Sequence, residues 1–323
     1  MKKQIQIEGK VPYGIDIPVL LIFFCRADKF AKVFEQVKAA RPSRLYLYQD
    51  GPRNEGDWDG ILQCRDTALQ IDWNCTVHMW YQEENVGCDP SGFLAQSWMF
   101  GQEEMGIVLE DDVVPSQSFF PYCKELLEKY KDDERINIIC GMNNMEVSEH
   151  IKDSYLFTTK GSCWGWASWK RVATAWDEKY PWLDSEQELR NLKNQIPKKR
   201  EYKRYLHYVK THKDSGKAHF ETIEGMDLYL YNRLNIVPKH NMITNIGIGG
   251  EATHTASDIR RLPKRSQRLF YMKRYEIDFP LRHPRYMMPD AVFERQMTMP
   301  TSTRLWADRI EVLFRKIIRG GKS

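Results

Sequence analysis

The hydrophobic positions along this chain change period repeatedly through its first half. Residues 18–25 form a continuous apolar run of strand length, the pattern of a strand covered on both faces. Directly after it, Phe30, Val33, Phe34 and Val37 recur at i, i+3, i+4, i+7, which predicts a helix that begins near Asp28 and stops at Arg41-Pro42. Strand-like runs follow at 45–48, 75–81, 105–109 and 136–140, separated by helical patterns near 58–69, 93–100 and 117–130. Strand alternating with helix predicts an α/β fold with right-handed crossovers, a mainly parallel sheet and helices on both faces. Ligands of such sheets bind beyond the carboxyl ends of the strands, so chemistry is expected at Arg26, Asp50, Asn85, Glu110, Asp111 and Asp112.

Composition adds exclusions. At 323 residues, 42% hydrophobic and 28% charged, the chain is neither collagen-like nor disordered and is long enough to bury a large core. Its longest apolar run, 17–25, lies between Asp16 and Arg26 and is less than half of the roughly 20 residues that span a bilayer. No apolar segment follows the basic start Met1-Lys2-Lys3, so no secretory signal is expected and a cytoplasmic location is. Seven cysteines without a CxxC pair suit a reducing compartment and argue against a zinc ribbon.

The net charge of +4 is unevenly placed, because residues 258–323 hold 16 Lys and Arg against 7 Asp and Glu. A last helix is predicted over 303–320, with Leu305, Trp306, Ile310, Leu313, Phe314, Ile317 and Ile318 on one face and arginines on the other. Such a helix either lies at the inner, anionic face of a membrane or docks its apolar side on the preceding domain. No nucleic-acid recognition motif accompanies the basic residues, so nucleic acid is not an expected partner. The polar, basic stretch 195–217 reads as a solvated surface helix.

Glu110-Asp111-Asp112 carries the sharpest chemistry. Three consecutive carboxylates after a buried strand repel one another and raise their own pKa values unless a cation is shared, and carboxylate oxygens suit Mn2+ or Mg2+ completed by substrate phosphates. A solvated acidic loop is the plain alternative. Arg26 can pair with a phosphate or a base carbonyl, and Asp50 can accept from a nucleobase N–H or simply open the turn Asp50-Gly51-Pro52. Asn85-Val86-Gly87 can let the backbone approach a nucleotide. Gly161-Ser162-Cys163-Trp164-Gly165-Trp166 suits a loop closing over a sugar, with Trp164 or Trp166 lining the site and Trp169 packed inside.

Ile17-Pro18 with Arg26, Tyr48-Gln49-Asp50-Gly51, Val108-Leu109-Glu110-Asp111-Asp112 before Phe119-Phe120, and the tryptophan segment together resemble the N-acetylglucosaminyltransferase I type of nucleotide-sugar glycosyltransferase. The resemblance runs over residues 15–256. It implies the GT-A fold over 1–256 with a basic extension at 257–323, Asp112 as the direct metal ligand, and Glu110 and Asp111 at the donor sugar and ribose. It further implies base recognition by Asp50, nucleotide contact by Arg26, His254 at the metal or diphosphate, and Asp227 as the catalytic base of an inverting transfer. In place of the aromatic residue that often precedes that base stands Met226. The expected reaction moves a sugar from a nucleotide diphosphate donor, UDP-linked first among them, to a hydroxyl of a glycan or lipid-linked saccharide. A metal-dependent phosphohydrolase, or a carbohydrate-binding protein on a degenerate transferase fold, are the rival readings, and retention of the three acids, Asp227 and His254 argues against the latter.

Overall fold

The computed structural model describes residues 2–196, 198–248 and 259–297, together with Trp306, Ile310 and Val312. Its first element is one that the apolar pattern does not announce. Lys2–Ile7 (β1) is mostly exposed and pairs antiparallel with the strand Cys75–Tyr81, Lys2 opposite Trp80 and Ile7 opposite Cys75. An edge strand needs apolar residues on one side only, here Ile5 and Ile7, and lysines at such an edge discourage further pairing.

The predicted alternation then follows: Ile15–Phe23 (β2), Ala27–Ala40 (α1), Pro42–Gln49 (β3), Trp58–Ala68 (α2), Cys75–Tyr81 (β4), Cys88–Phe100 (α3) and Met105–Glu110 (β5). The short Val113–Pro115 (β6) leads to Phe119–Lys129 (α4) and Ile136–Cys140 (β7). Tyr155–Thr158 (β8), Trp166–Trp169 (β9) and Lys170–Ala173 (α5) precede a helical stretch of Glu186–Gln195 (α6), Lys199–Ser215 (α7) and Phe220–Leu230 (α8). Leu234–Pro238 (β10), Ile243–Asn245 (β11), Lys264–Gln267 (α9) and Ala291–Met297 (α10) complete it.

Nine strands form one mixed sheet in the order β1-β4-β3-β2-β5-β9-β7-β10-β8, and β11 pairs with β6 in a separate ribbon. Strands β4, β3, β2 and β5 are mutually parallel, as the βαβ pattern requires, so their carboxyl ends share one edge. The continuous apolar run of β2 has a simple cause. Val19, Leu21 and Phe23 pack with the α1 stripe Phe30, Val33, Phe34 and Val37, while Leu20 faces the α3 and α8 side with Met99 and Phe100. Both faces are therefore buried. Helix α1 ends at Arg41, whose left-handed φ of 51° lets its N–H reach the Val37 carbonyl (2.9 Å) before Pro42 begins β3. Helix α3 starts earlier than its apolar residues suggest, directly after Gly87 (φ 93°), with Pro90 in the first turn where a missing N–H is harmless.

The boundary expected at 256 falls inside the undescribed stretch 249–258, as does His254. Residues 259–297 lie against the domain. Met272 and Leu281 enter its main core, Phe293 is buried in the second core, and the Glu276 carboxylate accepts from the N–H groups of Gln117 (3.0 Å) and Ser118 (2.6 Å). The expected helix at 303–320 lies, but for Trp306, Ile310 and Val312, outside the described residues. Among the described residues no helix is long and apolar enough to cross a membrane. Helix α7 is more than a solvated excursion: Glu201, Tyr202 and Val209 are buried, and Glu201 pairs with Lys160.

Candidate active site

The parallel register sets Ile22 beside Glu110, so the residues after β2 and β5 meet at the sheet edge. There the Phe24 N–H donates to Asp111 Oδ2 (3.3 Å). Arg26, at the start of α1, donates through Nη2 and Nε to Asp111 and through Nη1 to Asp112 Oδ2 (2.9 Å). Asp111 and Asp112 are 4% and 8% exposed, so one guanidinium holds two buried carboxylates. Burial works against the charge on Arg26, but the two aspartates outweigh it and keep the guanidinium protonated. The Asp112 carboxyl is raised by burial and by Asp111, with Arg26 opposing. Burial, then Asp112, Glu221 and Asp111, push half-buried Glu110 well above the usual carboxylate range.

The backbone fixes Asp112 as firmly. Its carbonyl accepts from the Ile246 N–H (2.9 Å), beside the ribbon in which Asn245 opposes Val113. Gly247 passes so close that a β-carbon there would stand 2.1 Å from Asp112 Oδ2. Asp112 Oδ1 is buried and has no hydrogen-bond partner among the described residues. An unpartnered carboxylate oxygen is costly in a buried site, and a divalent cation is one way to satisfy it. Among the described residues no three His, Cys, Asp or Glu side chains converge as a preformed cage. A Mn2+ or Mg2+ held by one or two carboxylates and completed by substrate phosphates and water needs no such cage, so the donor set fits that class of ion.

Asp50 and Asn85 form the neighbouring wall. Asp50 Oδ1 accepts from the N–H groups of Gly51 and Val86 (both 2.9 Å), and Oδ2 from Gly87 N–H (3.0 Å) and the Asn85 amide (2.9 Å). The same amide reaches the Gly51 carbonyl (2.9 Å). Burial raises the Asp50 carboxyl while those backbone donors pull it down. Both oxygens are thus engaged in joining the end of β3 to the loop after β4. A side chain at Gly51 would enter the Glu84 backbone, its β-carbon only 2.4 Å from the Glu84 carbonyl carbon, which explains why glycine stands there.

The tryptophans divide between crevice and core. Trp169 is buried and donates to the Leu127 carbonyl (3.0 Å). Trp166 is a correction: it lies in β9, 1% exposed and stacked on Phe220 (5.7 Å between centroids), so it belongs to the core. All four residues of β9 are buried, so neither face of that strand opens to the crevice. Trp164, half-buried beside Phe270, remains the indole at the crevice edge. It lines a cavity of about 510 Å3 together with Cys163, Glu201, Glu221, Glu224 and Asn235.

Helix α8 places its acids in an order that the sequence motif does not reveal. Glu221, in the first turn, is exposed, accepts from the Cys163 thiol (Sγ to Oε1 3.5 Å) and acts on Glu110. Asp227 is set apart from this group and lines a different cavity with Asp177 and Trp182. The reason is helical phase, since six residues advance about 9 Å along the axis and leave the side chain about 120° around it. Sequence reasoning missed Glu221 and Glu224; their i, i+3 spacing in a helix that enters the crevice was the available signal.

Glu224 supplies a prediction. Burial, with Asp227 and Glu221, raises its carboxyl from 4.5 to about 8, against the hydrogen bond that Asn137 donates (2.6 Å). The folded chain then keeps a proton that the unfolded chain has released, so stability is full below the ordinary carboxylate range and falls as pH rises towards 8. The slope from this group is at most about 1.4 kcal/mol per pH unit. Urea unfolding of Glu224→Gln across that window should show a flatter decline than the parent, and an identical slope counts against the assignment.

No protein-family model matches this chain, and no curated protein matches it. Among solved structures it is similar to the inositol-1-phosphate CTP transferase from T. maritima, at 12% identity over 50% of this chain and 74% of that one, with a TM-score of 0.29. It is also similar to the glycosyltransferase GlyE of Streptococcus pneumoniae TIGR4, at 11% identity over 70% of this chain and 54% of that one, with a TM-score of 0.29. The chemistry of the crevice rests on its own residues.

Proposed function

We propose that this chain is a metal-dependent glycosyltransferase that moves a sugar from a nucleotide diphosphate donor, UDP-linked first among them, to a hydroxyl of a glycan or lipid-linked saccharide. The observation that carries the reading is the unpartnered, buried Oδ1 of Asp112 within an acidic triplet at the carboxyl end of a parallel sheet. Asp112, with help from Glu110, would hold Mn2+ or Mg2+, and the ion would supply neutralisation of the charge that develops on the leaving diphosphate. Arg26 keeps Asp111 and Asp112 in place and presents positive charge on the nucleotide side. The Trp164 cavity offers an indole edge and side-chain amides to an acceptor saccharide.

Glu221, which acts on Glu110 and lines that cavity, would take the proton of the acceptor hydroxyl. As it does so, the hydroxyl oxygen bonds to the anomeric carbon and the bond from that carbon to the diphosphate oxygen breaks, releasing the nucleotide. One such displacement inverts the anomeric centre.

Calorimetric titration of UDP in Mn2+ or in EDTA tests the donor site. Binding is expected with Mn2+, is expected to weaken at least about tenfold in EDTA, and should be lost in Asp112→Ala. If UDP binds the parent and Asp112→Ala equally, the triplet is not the donor site. Release of phosphate from the nucleotide sugar with no acceptor present would mark a phosphohydrolase instead.

A further inference from the structure

On the other side of α8, between that helix and the 175–195 stretch, lies a second cavity of about 480 Å3. Its charged lining, among the described residues, consists of Asp177, Glu188 and Asp227, and its aromatic walls include Tyr180 and Trp182, set edge to face at 6.5 Å. Two polar atoms in it are buried without a partner among the described residues. They are Oδ2 of Asp227, a residue 5% exposed, and the hydroxyl of Tyr180, a residue 1% exposed. Polar groups so placed are normally satisfied by a ligand, water or ion. Arg233 acts on Asp227 from outside the lining: its Nη2 stands 3.7 Å from Glu134 and its guanidinium lies over the ring of the lining residue Tyr231 (4.5 Å), while its Nη1 is buried without a hydrogen-bond partner among the described residues.

An acid-only lining with aromatic walls selects against anions. The cavity offers no preformed convergence of three metal ligands among the described residues, which disfavours a bare ion. An organic ammonium satisfies every feature: its N–H groups donate to Asp227 Oδ2 and the Tyr180 hydroxyl, and its carbon frame lies against the Trp182 indole, whose face attracts positive charge. We infer that this cavity is a binding site for a small organic amine in its ammonium form, separate from the nucleotide crevice. Burial lifts the Asp227 carboxyl from 3.8 to about 7, and a bound ammonium would return it to the charged form. The inference stands independently of the proposed transferase activity.

Three probes test it by calorimetry: glucosamine and spermidine as ammonium ligands, and N-acetylglucosamine as the uncharged relative of the first. At least one ammonium ligand should bind, and N-acetylglucosamine should bind at least about tenfold more weakly than glucosamine, the factor equivalent to 1.4 kcal/mol. Asp227→Asn, which keeps the shape and removes the charge, should weaken ammonium binding by about tenfold or more. Tyr180→Phe, which deletes only the hydroxyl, should weaken it less. UDP binding in Mn2+ should not compete with the amine. Equal binding of the two sugars, no binding of either amine, unchanged affinity in a folded Asp227→Asn, or displacement by UDP would each overturn the inference.

Discussion

Glu221→Gln is expected to lower sugar transfer by about 10² to 10⁴-fold at saturating donor and acceptor, the usual worth of a general base. Expressed as a barrier, that is about 3 to 5 kcal/mol. The substitution keeps the length of the side chain and its ability to meet the Cys163 thiol, but an amide does not take a proton. Its position makes the effect specific to turnover. Glu221 is exposed at the crevice while acting on Glu110, so it borders both the donor end and the acceptor cavity without being one of the residues proposed to hold the ion. Nucleotide affinity in Mn2+ should therefore change by less than about threefold, and KM for the acceptor should move little. Steady-state kinetics with the two substrates varied separately distinguish the outcomes. A loss confined to KM assigns Glu221 to binding, and full turnover in the variant removes it as the base. The same kinetics on Asp227→Asn decide between the helix-phase argument and the motif-based expectation.

How much of this was readable beforehand depends on how strongly each element declares itself. The stripe of α1 and the strand β4 were legible because burial on a fixed side forces a period on the residues. Arg26, Asp111 and Asp112 were legible as a group because parallel strands bring their carboxyl ends to one edge whatever the details of packing. Strand β1 was hidden by its polar outer face, and β8 to β11 by being three to five residues long, too short to show a period. A motif does not show how an element is rotated. Asp227 shares a motif with a family base, yet its place on α8 turns it to another cavity, and Trp166 shares a glycine-rich segment with Trp164 but stands in a strand buried on both faces. Asp50 shows a third limit. Its type suits a base N–H, but four donors from its own surroundings already engage its oxygens, and only the fold brings those donors to it.

Arg26→Ala should be the most destabilising single change at the crevice, by about 3 to 5 kcal/mol, because it leaves buried carboxylates without their cation. The loss is not that of a surface ion pair. Arg26 has a side chain 17% exposed and bridges Asp111 and Asp112, whose side chains are 4% and 11% exposed, so water is poorly placed to replace it. With the guanidinium gone, burial and Asp111 push the Asp112 carboxyl further up, with Lys29 opposing them. A carboxyl raised in the folded state contributes stability that is present at acid pH and lost as pH rises through the raised value. The deficit of Arg26→Ala relative to the parent should accordingly be smallest near pH 5 and largest near pH 8. Arg26→Lys, a single point charge in place of a fork that reaches two aspartates, should fall between the two. Added Mn2+ should recover part of the loss, since a cation shared by the same acids replaces the one removed. Urea unfolding at several pH values, with and without Mn2+, reads all of these. If Arg26→Ala is as stable as the parent at pH 8, the two aspartates are not held against one another by this residue, and the electrostatic account of the crevice fails at its base.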